Sequence, residues 1–282
     1  MYNSSDFGLS IKIFCTKFFD LQINLFLKLQ RYIIQLFNFS NIRCAVAFTL
    51  AETLIVIGVI GIVSALTLPN LNSSTGEKEK VAKVKKIYQN LQDAFGRAEA
   101  VYGPFEEWIK STDTTDELKA KRIGERITEF MKISKNCETA SEQGCFTSGK
   151  AKMLTGDNSE EFDKGTGSYR IITADGMSIR FSGDNNSIDI IVDIDGPSKG
   201  SYTYGKDIFK FRINNDSQEL VPFGDHLGVN FEALLDEIFT RGGCYSATWI
   251  IRYDNADYLQ LKDKKGTCKN GNVMTEANPT CK

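Results

Sequence analysis

The chain has 282 residues, of which 41% are hydrophobic and 25% are charged, and its formal net charge at pH 7 is −2. This composition is typical of a folded protein, and it argues against a disordered chain and against a basic surface for nucleic acid. No nucleic-acid partner is therefore expected.

An apolar run extends from residue 48 to residue 68, and a single carboxylate, Glu52, interrupts it. As a helix this run would rise roughly 30 Å, which matches the hydrocarbon thickness of a membrane. A carboxylate in that setting costs at least ~2.5 kcal/mol, so it persists only where a partner or a function offsets the cost. The sequence predicts a membrane-spanning stem over residues 48–69, in which Glu52 pairs with a cation. The alternative is a plain signal anchor with Glu52 near the lipid headgroups.

A specific pattern surrounds this carboxylate. It consists of Ala47, Phe48, Glu52 and Pro69, in that order. The pattern resembles the amino-terminal signature of type IV pilins and type II secretion pseudopilins. The resemblance implies that a prepilin peptidase cuts between Ala47 and Phe48 and methylates the new amine of Phe48. It also implies that Glu52 pairs with this amine on a neighbouring subunit during assembly, in a medium of low dielectric constant where such pairing is strong.

The same resemblance implies a domain order. Residues 1–47 are expected to be a leader peptide or, alternatively, to come in part from an overlong gene model. Residues 48–69 are expected to be the stem, and residues 70–282 an extracytoplasmic domain held at the bacterial inner membrane by a single span. The leader is longer than is usual in the family, and alanine stands before the cut where the family usually has glycine. Pro69 lacks a backbone N–H and crowds the preceding turn, which predicts a helix kink where the stem ends.

The segment after the stem is predicted to form a long helix. Ser74 and Glu77 have capping-box spacing, which indicates a break and restart over residues 72–77. Beyond them, apolar residues recur at steps of three and four, so one face of the helix should pack on a core. These residues are Val81, Val84, Ile87, Leu91, Ala94, Phe95, Ala98 and Val101. Gly103 and Pro104 should end the helix.

A second helix is predicted over residues 115–135, followed by strands. The inward residues of this helix should be Leu118, Ile123, Ile127, Phe130 and Met131. The strongest hairpin signal has two alternating runs, 168–173 and 177–181, around Asp175-Gly176. The remaining predictions are strands over 187–194 and 207–213, a short helix over 230–240, and a final strand over 246–252.

A helix followed by an antiparallel sheet is an α+β arrangement. The resemblance implies the same architecture, with a long amino-terminal helix packed on an antiparallel β-sheet.

Five of the seven cysteines lie beyond the stem, which suits an oxidising compartment. Cys137 and Cys145 would close a short loop and are the best disulfide candidates. Cys244 is expected to pair with Cys268 or Cys281, although spacing alone does not decide the pairing. Because five is odd, either one thiol stays free or the compartment is not an oxidising one. A zinc site is disfavoured, since there is no Cys-x-x-Cys pair and only one histidine.

An acidic loop joins two of the predicted strands and has Asp193, Asp195 and Asp207 at its ends. Hard oxygen ligands in a flexible loop can hold Ca²⁺. The loop also resembles the Asp-rich loop of secretion pseudopilins, some of which bind calcium there. In the competing interpretation, Asp and Gly serve only the turn, because the full calcium-loop spacing with its terminal glutamate is absent.

The favoured function is that of a structural subunit of a type II secretion pseudopilus or type IV pilus-like filament. Its partners would be the prepilin peptidase, other pilin or pseudopilin subunits, and the inner membrane. The alternative is a membrane-anchored binding or adhesion module that does not polymerise. Five aromatic residues could supply its surface, although buried packing suits them better. They are Tyr202, Tyr204, Trp249, Tyr253 and Tyr258.

An enzyme is not expected, and no catalytic residue is predicted. Glu106 and Glu107 are adjacent glutamates, which usually form a solvated face rather than an acid and base pair. No nucleophile motif of the Gly-x-Ser-x-Gly kind occurs.

Overall fold

The computed structural model describes residues 50–110, 112–164, 167–184, 187–214 and 217–281, and for residues 50, 62–75 and 184 it describes the backbone alone. The predicted leader, the cleavage site between Ala47 and Phe48, and the methylation site at Phe48 lie outside these residues. The chain divides into two compact units, Met1–Ser64 and Ala65–Lys282. The second unit contains the sheet.

Four helices and six strands are described. The helices are α1 (Leu50–Tyr102), α2 (Asp116–Thr128), α3 (Phe231–Thr240) and α4 (Ser246–Tyr253). The strands are β1 (Ile133–Glu138), β2 (Ser168–Thr173), β3 (Ser178–Asp184), β4 (Ser187–Asp193), β5 (Ile208–Ile213) and β6 (Leu220–Pro222). They form one antiparallel sheet in the order β1-β2-β3-β4-β5-β6. The α+β class is therefore confirmed, and so is the β2–β3 hairpin, in which Tyr169 is the register partner of Phe181.

Helix α1 is continuous through residues 72–77, so the predicted break there is wrong. The capping-box spacing is a local sequence signal, and in the structure the side chain of Glu77 makes a different contact. Its Oε1 accepts a hydrogen bond from Nε2 of Gln260 at 2.7 Å. Pro69 lies inside the helix at a position whose side chain is not among those described, so its kink stays a prediction.

Among the described residues, no helix is both long and apolar enough to cross a membrane. The predicted stem, residues 48–69, extends beyond the residues whose side chains are described.

The apolar face of α1 lies in the main core, as predicted. Seven of its eight predicted residues are buried, whereas Val101 is 62% exposed. The sheet supplies the other side of the core with Tyr169, Ile171, Ile179, Phe181, Ile190, Val192, Phe209 and Phe211. Val101 is excluded because the chain turns at Gly103, which has a φ of 82°, and Trp108 then fills the core against Phe95 at a ring distance of 5.5 Å.

Helix α2 is shorter than predicted. It ends at Thr128 instead of residue 135, and residues 133–138 form the edge strand β1. The open edge of β2 provides backbone hydrogen bonds for this segment, and that long-range pairing overrides the helical pattern. Ile123 and Ile127 are buried as predicted, but Leu118 is exposed.

Residues 246–252, predicted as a strand, form helix α4. The segment is a short apolar run, and periodicity alone does not separate a buried strand from a buried helix in such a run. The helix is favoured by packing, because Trp249 and Tyr253 lie one turn apart with ring centroids 4.7 Å from each other. Asp254 ends the helix in a left-handed conformation, and its N–H donates to the carbonyl of Ile250.

The disulfide Cys137–Cys145 is confirmed. The second disulfide joins Cys268 to Cys281, so the expected pairing of Cys244 is wrong, and among the described cysteines Cys244 is the free thiol. The carboxyl-terminal loop brings its own two cysteines together, because the N–H of Cys281 donates to Oδ2 of Asp257 at 2.9 Å.

Candidate functional site

Glu52 lies in the first turn of α1, among exposed apolar side chains of the first unit. Those side chains are Leu54, Ile55, Val56, Ile57, Val59 and Ile60, each more than half exposed. Contiguous apolar surface of this kind marks a membrane or protein contact. The amine predicted to pair with Glu52 belongs to Phe48, which is outside the described residues.

The acidic loop is the second candidate site, and the structure brings its two ends together. The N–H of Ile194 donates to the carbonyl of Asp207 at 2.9 Å. Asp193, at the end of β4, is fully buried, and its Oδ1 accepts from the N–H groups of Asp195 at 3.1 Å and Gly196 at 3.2 Å. Its Oδ2 is also buried and has no hydrogen-bond partner.

Asp207 approaches the same point from the start of β5. Its Oδ2 accepts from the N–H and the hydroxyl of Ser201, at 2.5 and 2.6 Å. A Cβ on Gly200 would lie 3.0 Å from Cγ of Asp207 and 3.2 Å from Oδ2 of Asp195. Gly200 also has a φ of +82°, so glycine lets the backbone pass between the two carboxylates.

Two lysines of α1 reach the loop. Nζ of Lys83 lies 2.8 Å from Oδ1 of Asp195, and Nζ of Lys80 lies 3.8 Å from Oδ1 of Asp207. The sequence analysis missed these residues. Lys80 and Lys83 are three residues apart, so they share one helix face, and each lies next to a buried position of the helix. This spacing could have indicated that both reach the same part of the sheet.

The charged groups of the acidic loop shift one another's pKa values. Burial raises the pKa of Asp193 to about 7, and the nearby carboxylates of Asp207 and Asp195 act in the same direction. The hydrogen bond to Asp195 raises the pKa of the Lys83 ammonium. The cluster therefore needs positive charge, which either an ammonium or a metal ion can supply.

Calcium would need six to eight oxygen ligands. Among the three aspartates, Asp193 Oδ2 is buried without a hydrogen-bond partner, whereas Asp195 Oδ1 accepts from Lys83 and Asp207 Oδ2 accepts from Ser201. In the part of the chain that is described, no group of three or more His, Cys, Asp or Glu residues is arranged to hold a metal ion. Calcium at Asp193, Asp195 and Asp207 stays a prediction.

Of the remaining sequence candidates, Tyr202 and Tyr204 belong to the acidic loop itself. Glu106 and Glu107 are exposed. Four of the five aromatic residues are buried, and the fifth, Tyr253, packs on Trp249 and Phe231. These aromatic residues therefore build the core, and they do not form a binding surface.

Comparison of the chain with protein-family models, with curated proteins and with solved structures finds no match.

Proposed function

We propose that this protein is a structural subunit of a type II secretion pseudopilus or type IV pilus-like filament. The observation that carries the proposal is Glu52, a carboxylate among exposed apolar side chains at the start of a long helix. Its position relative to Ala47, Phe48 and Pro69 is the sequence pattern on which the family resemblance rests.

A physical argument supports assembly through this segment. The exposed apolar side chains of α1 would be stabilised by leaving water, in a membrane or against the helices of other subunits. In either medium Glu52 is costly unless a cation accompanies it. Cleavage before Phe48 would create a cation on each subunit, with which Glu52 of a neighbouring subunit could pair in an assembly.

The architecture of the second unit is compatible with this role. The carboxyl-terminal half of α1 packs on an antiparallel sheet, which is the arrangement that the resemblance implies. A likeness of architecture does not define a function, so the proposal depends mainly on the stem.

The first test is the amino terminus of the protein produced together with a prepilin peptidase. Mass spectrometry should find a mature chain that begins at N-methylated Phe48. A chain that still begins at Met1, or that is cut elsewhere, would contradict processing by this peptidase.

The second test is assembly by the Glu52→Gln variant, which keeps the shape of the side chain and removes its charge. The variant should insert in membranes and keep the melting temperature of the wild type, but its filament yield should fall at least tenfold. Glu106→Gln, which removes an exposed carboxylate of the second unit, is the matched control and should assemble normally. Normal filaments from Glu52→Gln would refute the proposed role of Glu52, and a mature wild type that never associates would favour the non-polymerising binding module.

A further inference from the structure

We propose that Lys80 and Lys83 of α1 take the place of a metal ion in the acidic loop. The positive charge that Asp193, Asp195 and Asp207 require would then come from the chain itself, and the loop would be ordered without any divalent cation. This inference concerns the second unit alone and does not depend on the filament function.

The two lysines are held at the loop by the packing of the helix. Lys80 precedes Val81, and Lys83 precedes Val84, and both valines are buried in the main core. The register that buries these valines therefore directs both ammonium groups to the loop. Lys83 also pairs with Glu79 at 3.1 Å, which holds its side chain on this side of the helix.

The pairs are partly shielded from water, unlike ordinary surface ion pairs. The side chains of Asp207 and Lys80 are 6% and 21% exposed, and those of Asp195 and Lys83 are 24% and 32% exposed. Shielded pairs are weakened less by salt than exposed ones. The two lysines should therefore continue to neutralise the carboxylates of the loop in the presence of salt.

A metal ion would compete directly with these ammonium groups. Asp195 Oδ1 already accepts from Lys83, and Asp207 Oδ1 lies next to Lys80. Two further oxygens are occupied by the chain, because Asp193 Oδ1 accepts from backbone N–H groups and Asp207 Oδ2 accepts from Ser201. A divalent cation among these carboxylates would also be repelled by both lysines. Unless the lysines withdraw, four of the six carboxylate oxygens of the three aspartates are engaged, and the positive charge of the lysines weakens the negative field that would attract calcium.

The test compares melting temperatures of the full chain in detergent, with EDTA and with millimolar calcium chloride. The wild type should melt at the same temperature in both. The Lys80→Gln/Lys83→Gln variant should melt lower than the wild type in EDTA, and calcium should raise its melting temperature by several degrees, because the loop has lost its own cations.

The matched control is Lys85→Gln/Lys86→Gln. These two lysines lie on the same helix, and each pairs with an aspartate elsewhere, Lys85 with Asp254 at 2.5 Å and Lys86 with Asp175 at 2.8 Å. The control loses the same number of charges, and it loses two ion pairs where the Lys80→Gln/Lys83→Gln variant loses three. It keeps both lysines of the acidic loop, so it should show no response to calcium.

Two results would overturn the inference. One is a wild type whose melting temperature rises with calcium and falls with EDTA. The other is a Lys80→Gln/Lys83→Gln variant that responds to calcium no more than the control does. If the double variant does not fold in EDTA, the single variant Lys83→Gln decides the question by the same comparison.

Discussion

Tyr88 of α1 and Phe211 of β5 stack face to face, with ring centroids 5.5 Å apart and an angle of 7° between the ring planes. The hydroxyl of Tyr88 also donates to the carbonyl of Leu220 at 3.4 Å. One side chain thus joins the helix to two neighbouring strands. This contact fixes where the helix lies on the sheet, and with it the position of the lysines that face the acidic loop.

The stacked pair should contribute measurably to stability. Tyr88→Leu keeps apolar volume at the site but removes the ring, so we expect the free energy of unfolding to fall by about 1 kcal/mol. Urea denaturation of Tyr88→Leu, Phe211→Leu and the double variant measures the coupling between the rings. Additive effects of the two substitutions would show that the stacking contributes nothing beyond burial.

Gly124 should resist substitution although it lies within a helix. A Cβ at this position would overlap the ring of Tyr169, and such overpacking typically costs 1–3 kcal/mol. Gly124→Ala should therefore lower the melting temperature. Without the overlap, alanine in place of glycine usually stabilises a helix by up to ~1 kcal/mol.

Gly96→Ala is the matched control for this substitution. Gly96 lies within α1 with nothing within 4 Å of a Cβ built on it, so the variant should melt higher than the wild type. If both substitutions stabilise the protein, the close contact between Gly124 of α2 and Tyr169 of β2 is contradicted.

The disulfide between Cys268 and Cys281 closes a loop with a sequence separation of 13. Removing it with Cys268→Ser/Cys281→Ser should cost about 3 kcal/mol. Cys244→Ala, which removes the free thiol, should cost less than half of that. Peptide mapping of the unreduced second unit should find Cys244 alone alkylated after denaturation, and a linked Cys244 would contradict the pairing.

Asp113 should make stability depend on pH. Its hydrogen bonds with Arg122, one of which spans 2.8 Å, hold the pKa of the carboxyl below its ordinary value of 3.8. A lowered carboxyl pKa contributes stability above the unfolded pKa, and that contribution is lost as the pH falls through the folded value. The melting temperature of Asp113→Asn should therefore lie below that of the wild type at pH 7, and the two should converge as the pH falls through the lowered pKa of Asp113.

The exposed Asp116 provides a control for the loss of a carboxylate in the same region. Asp116→Asn removes an ion pair with Lys119 at 3.5 Å, and at pH 7 it should lower the melting temperature less than Asp113→Asn does. A difference between wild type and Asp113→Asn that persists at acid pH would mean that shape, and not charge, explains the loss.

The predictions that succeeded depend on neighbours in the sequence. The buried face of α1 follows from the three- and four-residue spacing that begins at Val81, and the β2–β3 hairpin follows from Asp175-Gly176. The short cysteine loop was predicted for the same reason, because Cys137 and Cys145 are close along the chain.

The predictions that failed depend on contacts between distant segments. Residues 133–138 leave the helical pattern because β2 offers them an open edge. Residues 246–252 become a helix because the aromatic rings around Trp249 pack that way. The pairing of Cys268 with Cys281 is likewise a result of how the carboxyl-terminal loop folds.

The sequence by itself determined the α+β class, the helix face that enters the core, and the acidic character of the loop that ends at Asp207. These properties follow from residue type and local spacing, which act within a few residues. Only the tertiary structure decided that Lys80 and Lys83 meet that loop, because an ion pair across more than a hundred residues exists only once the helix has packed on the sheet.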